Sequence, residues 1–336
     1  MLSVNVTTAD AVFDGVRVRI FDDDRPSVGA TPGETKLRPA VIFFHGGGFM
    51  MMNLDAYHGH TAHIARNFQV MLISVEYRLA PKHRFPAAID DCTAATVWFL
   101  EHAHDFNVDP TRVAVMGDSA GGNLAAAVAQ RLTFDPKYKS LPKVKLQILI
   151  YPMLQAFDFQ TPSYQQNGDY TSVIMNRKYT VMAADNYMNG NSSLDSKMSK
   201  NLHTSADAKT SPLAQKCLSH DLIPDEFKQT GYEAPSTNLG DESIYNEIKE
   251  VLLDPDFAPL MREDLRGLPE AYILTAEYDV LRDDGIMYAK RLEMAGVPVA
   301  WKHYRRGFHG MFGALFDSPT EKLGQIDFAE YLKEHL

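Results

Sequence analysis

One five-residue segment, Gly117-Asp118-Ser119-Ala120-Gly121, constrains the fold of this chain more than any other. It follows the apolar run 113–116 and precedes an alanine-rich segment with helical character, 123–130. Glycines on both sides of a serine let the backbone turn tightly, so that the hydroxyl is exposed at the end of a strand. The following helix begins beside the serine and directs its free N–H groups at the reacting atoms. The segment therefore predicts a strand, a sharp turn and a helix, with Ser119 as a nucleophile.

A second glycine-rich turn, His45-Gly46-Gly47-Gly48, follows another apolar run. Acyl transfer passes through a tetrahedral oxyanion, and backbone N–H groups that are aimed at this oxygen lower the barrier. We expect the N–H groups of Gly46 and Gly47 to form one side of the oxyanion hole. The N–H group of Ala120, the residue after the nucleophile, is expected to form the other side.

Two later motifs supply the base and the acid that a serine hydroxyl needs for activation. The motif Thr275-Ala276-Glu277-Tyr278-Asp279 ends a strand-like run, and Gly307-Phe308-His309-Gly310 follows an alternating one. We assign His309 as the base and Asp279 as the acid, because both residues come just after predicted strands.

Three other carboxylates are alternatives to Asp279 as the acid. Glu277 is expected inside the strand, before the turn begins. Asp283 and Asp284 are expected in the first turn of the next helix, where the helix dipole favours a negative charge. Asp279 is preferred because it alone lies in the turn between the two elements.

Further motifs accompany these four along the chain. Some motifs are typical of a large group of proteins: His45-Gly46-Gly47-Gly48, Glu76-Tyr77-Arg78-Leu79-Ala80-Pro81, Phe85-Pro86-Ala87 and Gly117-Asp118-Ser119-Ala120-Gly121-Gly122-Asn123. Others are typical of a smaller set of proteins within that group: Leu149-Ile150-Tyr151-Pro152, Thr161-Pro162-Ser163-Tyr164-Gln165 and Tyr278-Asp279-Val280-Leu281-Arg282-Asp283-Asp284-Gly285-Ile286-Met287-Tyr288. From about residue 10 onward, the sequence resembles the hormone-sensitive-lipase group of α/β hydrolases, and within it the arylacetamide deacetylases. The order serine, acid, histidine is also the order of that fold.

The resemblance implies a triad of Ser119, Asp279 and His309 in a serine carboxylic-ester hydrolase that forms an acyl-enzyme and needs no metal or cofactor. It implies acetylated arylamides and small to medium-chain or lipid esters as substrates. Two alternatives are a truncated, weakly active homologue and a non-catalytic small-molecule receptor. Plant gibberellin receptors share the fold but have lost the catalytic histidine, which is present here as His309.

The resemblance also implies an N-terminal anchor in the endoplasmic reticulum membrane, with the enzyme facing the lumen and with cap residues after the anchor. No apolar run in this sequence is long enough to span a bilayer. No charged-then-apolar leader precedes the first strand. We expect a partial sequence or a form without the anchor, with a wetter and slower site where the cap is missing.

The charge of the chain limits its partners. Lysine and arginine together number 33 against 43 aspartates and glutamates, which gives a net charge of −10. This balance argues against nucleic acid and anionic membrane surfaces, because both require basic patches. A small-molecule ester or amide is the expected partner. Cys92 and Cys217 can form one disulfide or none.

Apolar runs alternate with helical patterns over most of the chain. This alternation predicts one α/β domain, an α/β-hydrolase fold whose mostly parallel sheet carries helices on both faces. The predicted strands are 16–22, 40–45, 70–76, 112–117, 144–150, 270–276 and 297–304. The predicted helices are 55–67, 86–104, 120–132, 283–295 and 319–335.

One long stretch, 155–257, breaks this alternation and exceeds the length of a structureless loop in a compact domain. Within it, residues 175–189 predict an amphipathic helix. Because the stretch follows a strand that ends near the nucleophile, we interpret it as a helical lid over the substrate pocket. Tyr187 and Met188 are its candidate substrate-binding residues, and its other aromatic side chains include Tyr164 and Tyr170.

Several polar residues outside the triad have other expected roles. His58, His60 and His63 have a spacing that could bind a metal, but no carboxylate or cysteine pattern accompanies them. We therefore expect a solvated helix there. His45 is expected to order the glycine turn through hydrogen bonds, and Asp118 to brace nearby backbone.

Overall fold

An eight-stranded sheet forms the framework of the protein. The computed structural model describes residues 6–23, 37–168, 175–312 and 318–336 of the chain. Tyr170 lies outside these described residues. The strands are β1 Val6–Phe13, β2 Val16–Asp23, β3 Arg38–Phe44, β4 Met71–Val75, β5 Val108–Asp118, β6 Leu146–Ile150, β7 Glu270–Tyr278 and β8 Val299–Phe308. Their order across the sheet is β1-β2-β4-β3-β5-β6-β7-β8. From β4 to β8 all neighbours are parallel, whereas the β1–β2 and β2–β4 pairs are antiparallel.

Helices connect the parallel strands. They are α1 Leu54–Phe68, α2 Ala87–His102, α3 Ala120–Phe134, α4 Pro162–Asn167, α5 Arg177–Asn189, α6 Asp195–Met198, α7 Ala206–Thr210, α8 Pro212–Leu218, α9 Glu242–Leu252, α10 Arg282–Met294 and α11 Pro319–His335. The seven predicted strands and the five predicted helices all correspond to observed elements. The mostly parallel α/β sheet expected from the sequence is therefore confirmed.

The central strands are buried on both faces. Every residue of β4 and of β6 is buried, as continuous apolar runs in a covered parallel sheet require. β1 was not predicted, because most of its residues are exposed at the edge of the sheet and form no apolar pattern. The two cysteines, Cys92 and Cys217, are buried free thiols.

In the described parts of the stretch interpreted from the sequence as a lid, residues 155–168 and 175–257, six α-helices, α4 to α9, lie between β6 and β7. α5 corresponds to the predicted amphipathic segment. Among the described residues, none of the helices combines the length and the apolar character needed to cross a membrane. Because the sheet is parallel here, the loops after β3, β5, β7 and β8 meet at one edge, and these loops carry the candidate functional residues.

Candidate active site

The turn between β5 and α3 holds Ser119 in an unusual backbone conformation. Its φ and ψ are 57° and −120°, a conformation that costs a non-glycine residue about 1–3 kcal/mol. The flanking glycines make this turn possible. A Cβ on Gly117 would lie 2.1 Å from Gly121 O, and a Cβ on Gly121 would lie 2.0 Å from Phe44 O. In the segment 117–121, which we call the elbow, the backbones of β5, α3 and β3 are therefore in close contact, and the serine lies at the end of the strand.

The structure brings Ser119, His309 and Asp279 together in one hydrogen-bonded chain. Ser119 Oγ lies 2.9 Å from His309 Nε2, and His309 Nδ1 lies 2.7 Å from Asp279 Oδ2. The remaining carboxylate oxygen of Asp279 accepts a bond of 2.9 Å from Leu281 N. All three side chains are buried. Such an arrangement can take the proton of the hydroxyl and stabilise the imidazolium that results.

Glu277, the first alternative acid, is engaged elsewhere. Its carboxylate accepts from His303 Nε2 at 2.8 Å and from Arg282 Nη1 at 3.2 Å. It therefore serves a different histidine from the one beside the nucleophile. Since β7 includes Glu277 and ends at Tyr278, the turn begins only at Asp279, as expected from the sequence.

Asp283 and Asp284 lie in the first turn of α10 as predicted, but both are completely buried. Asp283 accepts from Ser163 N at 2.6 Å and from Arg282 Nε at 2.9 Å. Asp284 accepts from Leu154 N at 2.8 Å, and burial raises the pKa of Asp284 to about 7. These two carboxylates join α10 to the chain that follows β6, and neither contacts the base.

The glycine loop, residues 46–48, is fixed to the elbow by a buried carboxylate. Gly46 N donates to Asp118 Oδ1 at 2.9 Å and also lies 3.1 Å from the Tyr57 hydroxyl. That hydroxyl donates to Asp118 Oδ2 at 2.8 Å. Burial raises the pKa of Asp118 to about 6, although the bond from Tyr57 opposes the shift. The expected bracing role of Asp118 agrees with these contacts.

This contact corrects the sequence-based assignment of Gly46 to the oxyanion hole. Its N–H group is occupied by Asp118 and cannot also stabilise an oxyanion. In the part of the chain that the structure describes, the N–H groups of Gly47, Gly48 and Ala120 make no intramolecular hydrogen bond. Gly47 and Gly48 have φ values of 111° and 62°, which favour glycine. Gly48 is thus a candidate donor that the sequence analysis did not include.

His45 is buried beside this loop and is held by two neighbours. Its Nδ1 donates to Gly46 O at 2.7 Å, and the Tyr77 hydroxyl donates to His45 O at 2.6 Å. Burial lowers the pKa of His45 to about 4, so the ring is neutral at physiological pH. The expected structural role of His45 agrees with this geometry.

The motif at residues 76–81, whose role was not evident from the sequence, also supports the loop. Ala80 N donates to Phe49 O at 2.9 Å, directly after the three glycines. Arg78 binds the Asp91 carboxylate through its Nε and Nη2 atoms. The motif therefore ties the glycine loop to α2 and has no visible contact with the reacting atoms.

Tyr187 and Met188, the predicted substrate-binding residues, are both buried. The Tyr187 ring stacks on Phe49 with a centroid distance of 4.0 Å and also packs against Phe257 at 5.5 Å. Tyr187 has 0% exposed surface, so it offers no accessible surface to a substrate in this structure. In this structure its contacts are those of a packing residue.

The three histidines considered as a metal site do not form one in the described ranges. No group of three or more histidine, cysteine, aspartate or glutamate side chains is arranged there to hold a metal ion. His63 instead pairs with Asn67 one helical turn later, and His60 packs edge-on against Phe43.

Comparisons with known proteins find relatives that share the fold described above. The profile of a family described as "alpha/beta hydrolase fold" matches residues 41–232 and 234–313. Neutral cholesterol ester hydrolase 1 of Bos taurus is 43% identical over 315 residues, which are 92% of this chain and 74% of that protein. Arylacetamide deacetylase of Bos taurus is 37% identical over 318 residues, 93% of this chain and 76% of that protein. The crystal structure of esterase LipW from Mycobacterium marinum has a TM-score of 0.70 at 26% identity, covering 98% of this chain and 82% of that one.

Proposed function

The chain belongs to the alpha/beta hydrolase family, in its hormone-sensitive-lipase group, and is a serine carboxylic-ester hydrolase; we propose that Ser119, His309 and Asp279 perform the hydrolysis. The observation that carries this assignment is the continuous hydrogen-bonded chain from Ser119 Oγ through the imidazole to the Asp279 carboxylate. Each link lies within the usual length range of a hydrogen bond.

In the proposed reaction Ser119 Oγ attacks the acyl carbonyl carbon while its proton moves to His309 Nε2. Asp279 holds the Nδ1–H group and stabilises the imidazolium. The oxyanion accepts hydrogen bonds from the free N–H groups of Gly47, Gly48 and Ala120. The tetrahedral intermediate then expels the alcohol or amine, which takes the proton from Nε2. Water, deprotonated by the same base, attacks the acyl-enzyme and releases the carboxylic acid.

We propose that the substrates are acetylated arylamides and small to medium-chain or lipid esters. Two relatives support this range, since one is named for the hydrolysis of cholesterol esters and the other for the deacetylation of arylacetamides. The triad chemistry is the same for both classes, because only the leaving group differs. Selectivity between them must therefore come from the walls of the pocket.

We further propose that the stretch 155–257 forms the lid of that pocket. Its helix α5 contacts the glycine loop: a Cβ on Gly48 would lie 2.8 Å from the Tyr179 hydroxyl and 3.1 Å from the Ala183 Cβ. No intramolecular hydrogen bond of the Tyr179 hydroxyl is found among the described residues. A hydroxyl that is free and lies beside the proposed oxyanion hole is well placed to contact an acyl group.

The test compares Ser119→Ala, His309→Ala, Asp279→Asn and Glu277→Gln in the hydrolysis of p-nitrophenyl acetate and of an acetylated arylamine. We expect kcat to fall by about 10⁴-fold or more for the serine and histidine variants, and somewhat less for Asp279→Asn. A fluorophosphonate probe should label the wild type and not Ser119→Ala. Glu277→Gln is the matched control for the acid and should stay within about 3-fold of the wild type. A larger loss for Glu277→Gln than for Asp279→Asn would make the acid assignment wrong.

A further inference from the structure

The turn that carries Asp279 is bonded to α4, the first helix of the proposed lid. Asn167 Nδ2 donates to Glu277 O at 3.0 Å and to Asp279 O at 3.4 Å. Ser163 Oγ donates to Val280 O at 2.6 Å. Three backbone carbonyls of residues 277–281, which comprise the end of β7 and the turn after it and are called the acid turn below, therefore accept hydrogen bonds from side chains of one short helix.

The same helix is anchored beyond the turn. Ser163 N donates to Asp283 Oδ2 at 2.6 Å, and both residues have 0% exposed surface. On its other oxygen Asp283 accepts from Arg282 Nε at 2.9 Å. Buried hydrogen bonds to charged groups are stronger than neutral ones, and leaving such a group unpaired is costly. α4 is thus held firmly against the start of α10.

These contacts matter because the Asp279 carboxylate has few supports of its own. One oxygen binds His309 and the other accepts from Leu281 N. The position of the carboxylate therefore depends on the path of the turn backbone. The carbonyl contacts from α4 hold this backbone together with the bond of 3.3 Å from Arg282 N to Asp279 O. A displacement of about 1 Å in a catalytic group can lower the rate by about 100-fold.

We propose that Asn167 and Ser163 are positioning residues that hold Asp279 in line with His309. The proposal rests on the proposed role of Asp279 as the acid of the triad. It assigns to Ser163 and Asn167, two residues in and just after the motif at residues 161–165, a part in catalysis that acts through the acid turn. The lid stretch is then both a cover and a support for the catalytic machinery.

The same helix supplies a matched control. Gln165 is half-buried like Asn167, and its amide nitrogen also donates to two backbone carbonyls, Gln160 O and Glu233 O, both at 2.8 Å. Those carbonyls belong to the lid stretch and not to the acid turn. Gln165→Ala therefore removes an amide from the same helix, together with the bond of 2.8 Å that its Oε1 accepts from Glu233 N, without touching the support of Asp279.

The experiment measures kcat and KM of Asn167→Ala and Gln165→Ala with p-nitrophenyl acetate, normalised to active sites titrated with a fluorophosphonate. Because only the alignment of the triad changes, Asn167→Ala should lower kcat about 10- to 100-fold and leave KM within about 2-fold. Gln165→Ala should leave both values near those of the wild type. Ser163→Ala, which deletes a single hydroxyl, should lower kcat in the same direction and serves if Asn167→Ala folds poorly.

A double-substitution cycle shows whether Asn167 acts through Asp279. In an Asp279→Asn background, Asn167→Ala should lower kcat by less than about 2-fold, because the group that it positions is already impaired. Equal kcat values for Asn167→Ala and Gln165→Ala, or the same loss in both backgrounds, would overturn the inference while leaving the triad intact. A wild-type kcat for Asp279→Asn alone would overturn both the inference and the proposed acid.

Discussion

The bond between Asp118 and the glycine loop predicts opposite outcomes for two substitutions of one residue. In Asp118→Asn the amide oxygen can still accept from Gly46 N, and the amide nitrogen can donate to the Tyr57 hydroxyl. The loop should keep its place, and kcat should stay within about 10-fold of the wild type. In Asp118→Ala neither partner finds an acceptor on residue 118. The loop loses its anchor, and kcat should fall by about 100-fold as the oxyanion donors move.

The expected change in the free energy of unfolding follows from the charge of the Asp118 carboxylate. Burial raises the pKa of Asp118 from 3.8 to about 6, so the folded protein binds this proton more tightly than the unfolded chain. The free energy of unfolding therefore falls as the pH rises from about 4 to about 6 and is level above that range. The ionised, buried group carries a penalty of about 3 kcal/mol. Asp118→Asn removes it, so the variant should gain about 3 kcal/mol at pH 8 and about half of that at pH 5.

Urea unfolding at pH 5 and pH 8 checks this difference, and p-nitrophenyl acetate hydrolysis gives kcat for both variants. The matched variant Tyr57→Phe removes one of the two partners of Asp118 and should lie between the wild type and Asp118→Ala in kcat. A stability difference between Asp118→Asn and the wild type that does not change with pH would show that the buried carboxyl carries no charge penalty. A wild-type kcat for Asp118→Ala would show that the loop needs no anchor.

Two further predictions concern α5 and the elbow. Tyr179→Ala should change how kcat/KM depends on acyl-chain length across p-nitrophenyl esters, because the hydroxyl lies against the glycine loop. An unchanged chain-length profile for Tyr179→Ala would place the acyl pocket in the core domain. Tyr187→Ala, in contrast, should mainly lower the free energy of unfolding, by about 3–5 kcal/mol. Gly121→Ala should yield no folded enzyme, since its Cβ would lie 2.0 Å from Phe44 O. Gly15 has open space around it and a φ of 82°. Gly15→Ala should therefore lower the free energy of unfolding, measured by thermal unfolding, by only about 1–2 kcal/mol. A folded, active Gly121→Ala would contradict the close packing of the elbow.

The sequence allows a prediction of those parts of the candidate site whose chemistry dictates both residue type and position. A serine between glycines at a strand end, and an acid and a histidine after later strands, are such parts. Ser119, Asp279 and His309 could be named because each follows a run that is clearly strand-like. The glycines of the elbow could be named because a tight turn with a helix pressed against it leaves no room for a side chain.

Other parts of the site depend on contacts between distant residues and leave no local pattern. The sequence analysis assigns the Gly46 amide to the oxyanion hole, because the local sequence does not show that this amide binds Asp118. The two residues are 72 positions apart in the chain. The supports from Asn167 are side-chain bonds to backbone carbonyls, which any residue supplies. Tyr187 was assigned to substrate because an aromatic residue suits a pocket wall and a packed interior equally well. The stacking of Tyr187 on Phe49 joins two distant parts of the chain and has no sign in the local sequence.

The lid stretch, if the two proposals hold, contacts both halves of the catalytic machinery. α4 supports the acid turn through Asn167 and Ser163, and α5 lies against the glycine loop through Tyr179. Substitutions on these inner faces would alter kcat together with selectivity. Substitutions at positions such as Gln165, whose bonds remain within the stretch, would leave the triad undisturbed. A change of substrate range that is made on the helix faces touching the site should therefore come together with a change in kcat.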